Sequence, residues 1–466
     1  MTLWTSEEIA EATGGTVRGA FSASGVAFDS REIAPGDLFI AMKGEATDGH
    51  LFLDKAFASG AAGALVSEAT VRPNVQVADT SKALNDLGRA SRTRSGARIC
   101  GVTGSVGKTG TKEALFAALD RSAPGQAHRS VKSYNNHTGV PLSLARMPRE
   151  ARYGVFEMGM NHAGELAELT RLVRPHVAIV TAIAPAHYEF FSGEEAIADA
   201  KGEIFQGLEP GGTAIVPFDS PHRDRLIAAA RPYAGRIVTF GLGDGADVRA
   251  REFIAASGGG TLVAAVLPEA ELTYTISQPG EHWVSNSLAV IAAADAMGAD
   301  LAQAGLALAD MPGLKGRGER RTVPVAGGEA LLIDESYNAN PSSMRATLKS
   351  LAAQEVAGRR IAVLGAMREL GRGTDSFHAG LAEPIEAACV DFAILVGEEM
   401  GALAKALGQK VNFEHVPDAA SAIAAAREAV APGDIMLVKG SNSVGLSALV
   451  DALAGGAATP LGTGKS

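Results

Sequence analysis

The chain has 466 residues and a formal net charge of −10, with 46% hydrophobic and 20% charged residues. This length and composition suit an ordinary globular enzyme of about three domains, and the negative charge argues against general nucleic-acid binding. The two cysteines, Cys100 and Cys389, provide neither a disulfide framework nor a zinc pattern. The N-terminal segment lacks the order of a signal peptide, and no uncharged apolar stretch approaches about 18 residues, so we expect a cytoplasmic protein without a membrane span.

Short apolar runs alternate with helical stretches along most of the chain. The predicted strands cover residues 37–42, 63–68, 98–104, 153–159, 176–183, 212–217, 236–241, 330–336, 359–366, 391–397 and 434–440. The predicted helices between them cover residues 112–119, 164–173, 194–207, 284–297 and 418–430. Many of the strands are continuously apolar, which is typical of strands covered on both faces, so the pattern predicts an α/β fold with parallel sheets.

The glycine-rich segment "MPGLKGRG" at 311–318 is the clearest linker in the chain, since it follows two helical stretches and precedes a new strand–helix alternation. Residues before about 84 have short strands and many glycines. We therefore predict three domains, at residues 1–84, 85–313 and 314–466.

The stretch "GVTGSVGKTGTKEAL" at 101–115 resembles a phosphate-binding loop, although Val102 stands where the common spacing has a glycine. A strand precedes it and a helix follows it, which is the context that such a loop needs. The predicted phosphate-binding residues are Thr103, Gly104, Ser105, Val106, Gly107, Lys108 and Thr109. Backbone N–H groups would hold the phosphates, Lys108 would neutralise them and the Thr109 hydroxyl would bind Mg²⁺. The alternative is a glycine turn before an ordinary helix, and Gly110 in the first helical turn is unexplained.

Two further polar residues follow neighbouring predicted strands. Glu157 ends the strand after "YGVF", and His187 follows "VAIVTAIAPA". Parallel α/β sheets place ligands at the carboxyl ends of their strands, so both could converge beside the phosphate loop. Mg²⁺ prefers oxygen ligands, which favours Glu157 over His187. An exposed loop glutamate and a loop histidine remain the alternative, and Lys201 taken alone reads as a surface lysine on a helix.

The segment "IDESYNANPSSMRATL" at 333–348 carries the most polar strand end of the chain. Burying so many polar groups without a ligand is unfavourable, which predicts the edge of an active site. Its polar residues are Asp334, Glu335, Tyr337, Asn338 and Asn340. Ser342 or Ser343 could cap the helix that follows.

On the form Thr103-Gly104-x-x-Gly107-Lys108-Thr109, the loop resembles that of the Mur ligase family, whose common version has asparagine or serine at Val106. The "SYNANP" segment resembles the signature of the member that joins D-alanyl-D-alanine to UDP-N-acetylmuramoyl-tripeptide, forming the pentapeptide precursor of peptidoglycan. The resemblance covers nearly the whole chain. It implies a small N-terminal uridine-nucleotide domain, a central ATP-binding domain and a C-terminal Rossmann-like ligase domain. Ala366 stands where the family often has aspartate.

The resemblance also implies roles for individual residues. Lys108, Glu157, His187 and Lys201 would be catalytic, and a carbamate on Lys201 would bind the second of two Mg²⁺ ions, with Thr109, Glu157 and His187 as further metal ligands. The adenine and ATP contacts would come from His282, Asn286, Arg317 and Asp334. The substrate contacts would come from Ser30, Arg31, Asn135, Asn136, Thr138, Tyr337 and Asn338.

The implied reaction uses ATP to activate a carboxylate as an acyl phosphate, which the amine of the second substrate attacks, and it requires no second copy of the chain. Three alternatives stay open at this point. A folylpolyglutamate synthase would lack the uridine-nucleotide unit and the "SYNANP" segment. A regulatory P-loop NTPase or kinase would turn over ATP without peptide substrates. A non-catalytic nucleotide-binding scaffold has slight support from Val106 and Ala366.

Overall fold

The computed structural model describes residues 2–44, 47–185, 189–257 and 260–455. Within these residues, strands form one two-stranded, one five-stranded, one six-stranded and one nine-stranded sheet. No helix among them is both long enough and apolar enough to cross a membrane.

The first unit surrounds the five-stranded sheet, in the order β2-β7-β6-β5-β4. Strands β4 to β7 are parallel, β2 is antiparallel to β7, and β1 pairs with β3. The elements are β1 (Trp4–Thr5), α1 (Ser6–Thr13), β2 (Thr16–Arg18), β3 (Ser22–Ala23), β4 (Gly25–Ala27), β5 (Asp37–Ile40), α2 (Leu53–Ala58), β6 (Gly63–Val66), β7 (Asn74–Gln76) and α3 (Thr80–Arg94).

The second unit surrounds the nine-stranded sheet, in the order β16-β15-β14-β13-β12-β11-β8-β10-β9. Its elements are β8 (Arg98–Thr103), α4 (Lys108–Ser122), β9 (Ala127–Arg129), α5 (Gly139–Ala145), β10 (Tyr153–Glu157), α6 (Glu165–Val173), β11 (Val177–Val180), α7 (Glu194–Gly202), β12 (Thr213–Pro217), α8 (Arg223–Ala230), β13 (Arg236–Gly241), β14 (Val248–Ala255), β15 (Thr261–Val266), β16 (Glu271–Ile276), α9 (Glu281–Ala296) and α10 (Leu301–Asp310). Strands β8 to β14 pair in parallel, whereas β15 pairs antiparallel with both β14 and β16.

The third unit surrounds the six-stranded sheet, in the order β17-β18-β22-β19-β20-β21, in which β17 alone among the described strands is antiparallel. Its elements are β17 (Glu319–Val325), β18 (Gly328–Glu335), α11 (Pro341–Ala352), β19 (Arg360–Gly365), α12 (Thr374–Ala379), α13 (Ala382–Ala387), β20 (Phe392–Val396), α14 (Gly401–Leu407), β21 (Asn412–Val416), α15 (Ala419–Ala429), β22 (Ile435–Lys439) and α16 (Ser447–Ala454).

Continuous burial along the central strands confirms the α/β prediction. In β8, Ile99 packs into the core on one face of the sheet, and Cys100 and Val102 pack into the core on the other. A strand covered on both faces needs apolar residues at successive positions. The antiparallel meander of β14, β15 and β16 was not predicted. Its middle strand β15 alternates buried and half-buried residues, as a strand does when one face of an antiparallel sheet packs on the core.

Each large sheet lies within one of the three predicted segments. The predicted boundary at residue 84 falls inside α3, a helix that contacts both α1 and α5. The domain limits therefore stay a prediction. The predicted linker is confirmed as irregular, because α10 ends at Asp310 and β17 begins at Glu319.

Candidate active site

The phosphate loop lies between β8 and α4, as predicted. Gly104 and Gly107 have φ values of +147° and +84°, which favour glycine. A Cβ on Gly104 would lie 2.0 Å from Thr181 Oγ1, so a side chain cannot be accommodated there. The Lys108 ammonium donates to the Gly104 carbonyl at 2.6 Å and folds back over the loop. Burial lowers the pKa of Lys108, and the Glu157 carboxylate partly offsets this effect.

Two unusual loop positions have simple structural explanations. The Val106 carbonyl accepts a hydrogen bond from the Thr181 hydroxyl, so this position acts through its backbone and tolerates an apolar side chain. Gly110 faces Trp283 on α9, and a Cβ there would lie 2.9 Å from the indole ring. The glycine therefore permits the close approach of α9 to α4, although glycine is less favourable than alanine in a helix by about 1 kcal/mol.

Glu157 lies at the end of β10 and is almost fully buried. Its carboxylate accepts hydrogen bonds from the Thr109 hydroxyl at 2.8 Å and from the Asn135 amide at 2.8 Å. The Ser130 hydroxyl accepts the backbone N–H of Glu157 at 3.1 Å. The predicted convergence of Glu157 with the phosphate loop is thus present. His187 lies outside the described residues, so its assignment stays a prediction.

Lys201 on α7 is fully buried and lines the same cavity. In the part of the chain that the structure describes, its Nζ has no hydrogen-bond partner. Burial lowers the pKa of Lys201 far below its usual range, and the nearby Lys108 ammonium lowers it further. The sequence pattern indicated a surface lysine, and the structure shows that interpretation to be wrong. A buried, unpartnered amine is rare in packing and suits a group that reacts or changes its charge.

Helix α9 forms the second wall of the cavity. His282 and Asn286 both line it, as predicted, and Asn286 approaches the loop so closely that a Cβ on Gly107 would lie 3.0 Å from its Oδ1. Burial lowers the pKa of His282. This wall thus brings one neutral ring and one amide to the end of the phosphate loop.

The C-terminal unit forms the third wall. Arg317 lies in the linker with its guanidinium 4.1 Å from the centre of the Tyr337 ring. Lys439, at the end of β22, donates to the Asn338 carbonyl at 3.0 Å and pairs with Glu335 at 3.3 Å. The cation–π contact with the Tyr337 ring holds the Arg317 guanidinium at a fixed position over the cavity.

Asp334 holds the backbone around the linker. It is fully buried and does not belong to the described cavity lining. Its carboxylate accepts the N–H of Gly316 at 2.9 Å and both the N–H and hydroxyl of Ser336, at 3.0 and 2.6 Å. The side chain therefore fixes the linker that carries Arg317, and its predicted contact with ATP is untested.

The helix cap after "SYNANP" was predicted at Ser342 or Ser343, which is wrong. Asn340 is the N-cap of α11, its side chain accepting the Ser343 N–H at 2.9 Å. Ser343 reciprocates by accepting the Asn340 N–H at 3.0 Å, and Pro341 takes the first helical position. This arrangement is a capping box in which Asn340 is the N-cap and Ser343 the N3 residue, so the prediction found a member of the box but gave it the wrong position.

Of the predicted substrate residues of the N-terminal half, most do not belong to the described cavity lining. Arg31 pairs with Asp29 at 2.6 Å, and Ser30 is nearly buried. The Asn136 side chain accepts the N–H groups of Thr138 and Gly139, at 3.2 and 2.9 Å, where α5 begins. Asn136 and Thr138 therefore shape a helix start, and Asn135 alone of these residues points into the described cavity.

The cavity has a volume of about 500 Å³, in the range of small-molecule sites. Predicted residues that line it are Ser105, Val106, Gly107, Lys108, Thr109, Asn135, Glu157, Lys201, His282, Asn286, Arg317, Tyr337 and Asn338. Sequence reasoning missed Thr181, Trp283 and Lys439 in the same lining. Lys439 ends a parallel strand, and the rule that places ligands at such ends could have found it.

The fold and the cavity define a three-unit α/β protein with the geometry of a phosphate loop between β8 and α4, at the edge of one cavity. Family models match three segments: the Mur ligase family catalytic domain at residues 22–92, the Mur ligase middle domain at 102–294 and the Mur ligase glutamate ligase domain at 316–442. The chain belongs to the Mur ligase family, which confirms the resemblance seen in the sequence.

Individual relatives match over almost the full length. The UDP-N-acetylmuramoyl-tripeptide–D-alanyl-D-alanine ligase of Escherichia coli (strain K12) is 34% identical over 455 residues, covering 96% of this chain and 98% of that protein. A crystal structure of MurF from Acinetobacter baumannii has a TM-score of 0.84 at 31% identity, covering 97% and 99% of the two chains. The MurF ligase of Thermotoga maritima, solved in complex with ADP, has a TM-score of 0.75 at 25% identity, covering 92% and 97%.

Proposed function

We propose that this protein is the ATP-dependent ligase that joins D-alanyl-D-alanine to UDP-N-acetylmuramoyl-tripeptide, with release of ADP and phosphate. The observation that carries the proposal is that Tyr337 and Asn338, from the "SYNANP" segment, line the same cavity as Lys108. That segment distinguishes this member of the family in the sequence. The names of the similar Escherichia coli and Acinetobacter baumannii proteins agree with it.

The phosphate end of the cavity is built for an anion. The α4 N-terminus supplies unpaired backbone N–H groups and the positive end of a helix dipole. Lys108 adds a positive charge within reach of the loop, and Arg317 faces it from the linker. These residues would offset the repulsion between a triphosphate and the carboxylate that it activates.

The residues beside the loop fit magnesium. The Thr109 hydroxyl and the Glu157 carboxylate, 2.8 Å apart, are oxygen ligands of the type that Mg²⁺ prefers. When bound, Mg²⁺ would neutralise the phosphate oxygens as a Lewis acid. The unpartnered Lys201 amine does not fit a metal as it stands, but its carbamate would supply an anionic oxygen, and its lowered pKa favours the neutral amine that reacts with CO₂. We infer two ions, the second held by carbamylated Lys201, with Glu157 and His187 as further metal ligands.

The remaining chemistry is acyl transfer. The terminal carboxylate of the tripeptide takes the γ-phosphoryl group and becomes an acyl phosphate, and the amine of D-alanyl-D-alanine displaces the phosphate to form an amide. Water must be kept from the activated carboxyl, which the three walls of the cavity and closure at the 311–318 linker would achieve. Because the walls come from one chain, we infer a monomer, and because the proposed reaction consumes ATP, we infer that it acts in the cytoplasm.

The test is phosphate release from ATP and Mg²⁺ with both substrates, and with each omitted in turn. We expect release only when both are present. Lys108→Met should reduce it by about 100-fold or more, because a charge at the transferring phosphate is lost. Lys405→Met, which changes an exposed lysine of α14, serves as the matched control and should leave the rate unchanged.

Three results would contradict the proposal. Phosphate release without the dipeptide would favour a regulatory NTPase or kinase, and absence of release with both substrates would favour a scaffold. Release with a folate and glutamate in place of the two substrates would instead indicate a folylpolyglutamate synthase.

A further inference from the structure

Lys112 is a second fully buried lysine of the central unit, one helical turn after Lys108 on α4. Unlike Lys201, it is fully partnered. Its ammonium donates to the Ser130 carbonyl at 3.0 Å and to the Lys132 carbonyl at 2.7 Å. Burying an ammonium is unfavourable unless it is paired and hydrogen-bonded, so these contacts are needed to keep Lys112 inside.

The charges around Lys112 complete its pairing. The Glu113 carboxylate lies 2.9 Å from its Nζ, and the Glu157 carboxylate lies 3.8 Å away. The Glu157 oxygen nearest to Lys112 is also the acceptor of the Thr109 hydroxyl. Lys112 therefore lies between the helix of the phosphate loop and the carboxylate of the proposed metal site, without belonging to the described cavity lining.

The two carbonyls that Lys112 holds belong to residues 130–135, which we name the strap. The strap carries Ser133 and Asn135 into the cavity, and Asn135 donates to Glu157 at 2.8 Å. In addition, the Asn135 carbonyl accepts the Gly159 N–H at 2.8 Å. The strap thus orients groups on two sides of the cavity although it belongs to no helix or strand.

The strap also joins the units of the chain. Lys132 and the Tyr134 hydroxyl both contact the Glu32 carboxylate, which follows the Asp29–Arg31 turn of the first unit. On the other side, Arg317 of the linker lies 3.5 Å from the Ser133 hydroxyl. A displacement of the strap would therefore disturb contacts with the N-terminal unit, with Glu157 and with the linker.

We propose that Lys112 is a positioning residue of the ligase reaction, whose buried ammonium fixes the strap to α4 and so holds Asn135 and Ser133 toward the substrate that carries the carboxylate. This inference rests on the proposed function and adds a residue to its machinery. Lys112 touches no reacting atom. Removing its ammonium leaves two carbonyls without their donor and releases the strap, while the phosphate loop, which precedes Lys112, keeps its own hydrogen bonds.

The test compares Lys112→Met with Arg92→Met. Arg92 is also a buried cation that donates to two backbone carbonyls, those of Val173 and Arg174, both at 2.8 Å, away from the cavity. Both variants should lose stability. In Lys112→Met alone, kcat/KM for UDP-N-acetylmuramoyl-tripeptide should fall by about 100-fold, as for a displaced positioning group. The affinity for ATP alone, measured by calorimetry, should change by less than about threefold, since a positioning group acts on orientation and leaves the loop intact.

Hydrogen–deuterium exchange provides a readout that does not depend on activity. Peptides covering the strap should exchange faster in Lys112→Met than in the wild-type protein. In Arg92→Met, the exchange rate of the same peptides should be unchanged. If Lys112→Met does not fold, Lys112→Gln, whose amide can still donate to one carbonyl, takes its place in every measurement.

The inference is overturned if the strap exchanges at the wild-type rate, if Arg92→Met loses kcat/KM to the same extent, or if neither Lys112 variant folds, since a positioning role requires the fold to survive. Failure of the proposed function would look different. The wild-type protein would then release no phosphate with both substrates, whereas the exchange experiment would still report whether Lys112 holds the strap.

Discussion

Replacing Lys201 by methionine should abolish ligase activity while making the fold more stable. Lys201 is fully buried, and among the described residues its Nζ has no hydrogen-bond partner. A buried polar group left unsatisfied costs about 1–3 kcal/mol. Methionine has a similar length and no polar atom, so Lys201→Met should gain about 1–3 kcal/mol in the free energy of unfolding. Activity should fall by about 100-fold or more, because a proposed ligand of the second Mg²⁺ is lost and with it the stabilisation of charge on the reacting phosphate.

The assay pairs denaturant unfolding with phosphate release. Unfolding should be measured in decarbonated buffer without Mg²⁺, so that the wild-type amine is free. Lys112→Met is the matched comparison, since that lysine is equally buried but has two carbonyl acceptors. It should lose stability where Lys201→Met gains it. The reasoning is refuted if Lys201→Met is destabilised as much as Lys112→Met, or if it retains the wild-type rate.

The proposed carbamate on Lys201 leads to a second prediction. In Lys201→Ala, the truncated side chain leaves space for a small anion beside Glu157. A short carboxylic acid at high concentration, such as acetate or propionate, should restore part of the activity of Lys201→Ala and none of that of Lys201→Met. Restoration in both variants, or a wild-type rate in Lys201→Ala without added acid, would exclude the carbamate.

Two other positions give predictions of defined sign. Burial lowers the pKa of His128 from 6.5 to about 4. The unfolded chain therefore binds a proton between these values that the folded chain does not. Stability is lost as the pH falls through this window, and the wild-type protein should lose about 3 kcal/mol more than His128→Gln between pH 7 and pH 4; equal losses would contradict this. Gly110→Ala places a Cβ 2.9 Å from the Trp283 ring. This clash should weaken ATP binding, measured by calorimetry, and lower the free energy of unfolding, despite the better helix propensity of alanine. Trp283→Leu should restore the stability that Gly110→Ala loses. Unchanged ATP affinity in Gly110→Ala would contradict this.

The parts of the site that the sequence predicted correctly are local in the chain. A phosphate loop needs only a strand, a glycine turn and a helix in succession, so residues 103–109 could be placed without knowledge of the rest of the fold. Glu157 was found by the same logic, because it ends an apolar strand and ligands gather at such ends. The continuous apolar runs likewise predicted strands covered on both faces.

The parts that were missed depend on residues far apart in the sequence. Thr181 stabilises the loop from the next strand, through the Val106 carbonyl. Trp283 contacts Gly110 from a helix more than 170 positions away, and this contact explains a glycine that helix propensity makes unfavourable. The polar strand end around Asp334 does border the cavity, as predicted. The Asp334 carboxylate itself, however, accepts backbone N–H groups of Gly316 and Ser336, which its sequence position did not indicate. The type of a side chain does not reveal which distant residues it contacts in the fold.

The two buried lysines show why composition and spacing cannot separate packing from chemistry. Lys112 and Lys201 both lie on helices with alanines nearby, and each resembles an exposed surface lysine in the sequence. Tertiary packing buries both completely. One ammonium then meets two carbonyls and two carboxylates, and these contacts make it a tether for the strap. The other meets no acceptor within the described chain, so burial favours its neutral, nucleophilic form. The chemistry of each lysine thus follows from the acceptors around it, and these are set by the fold.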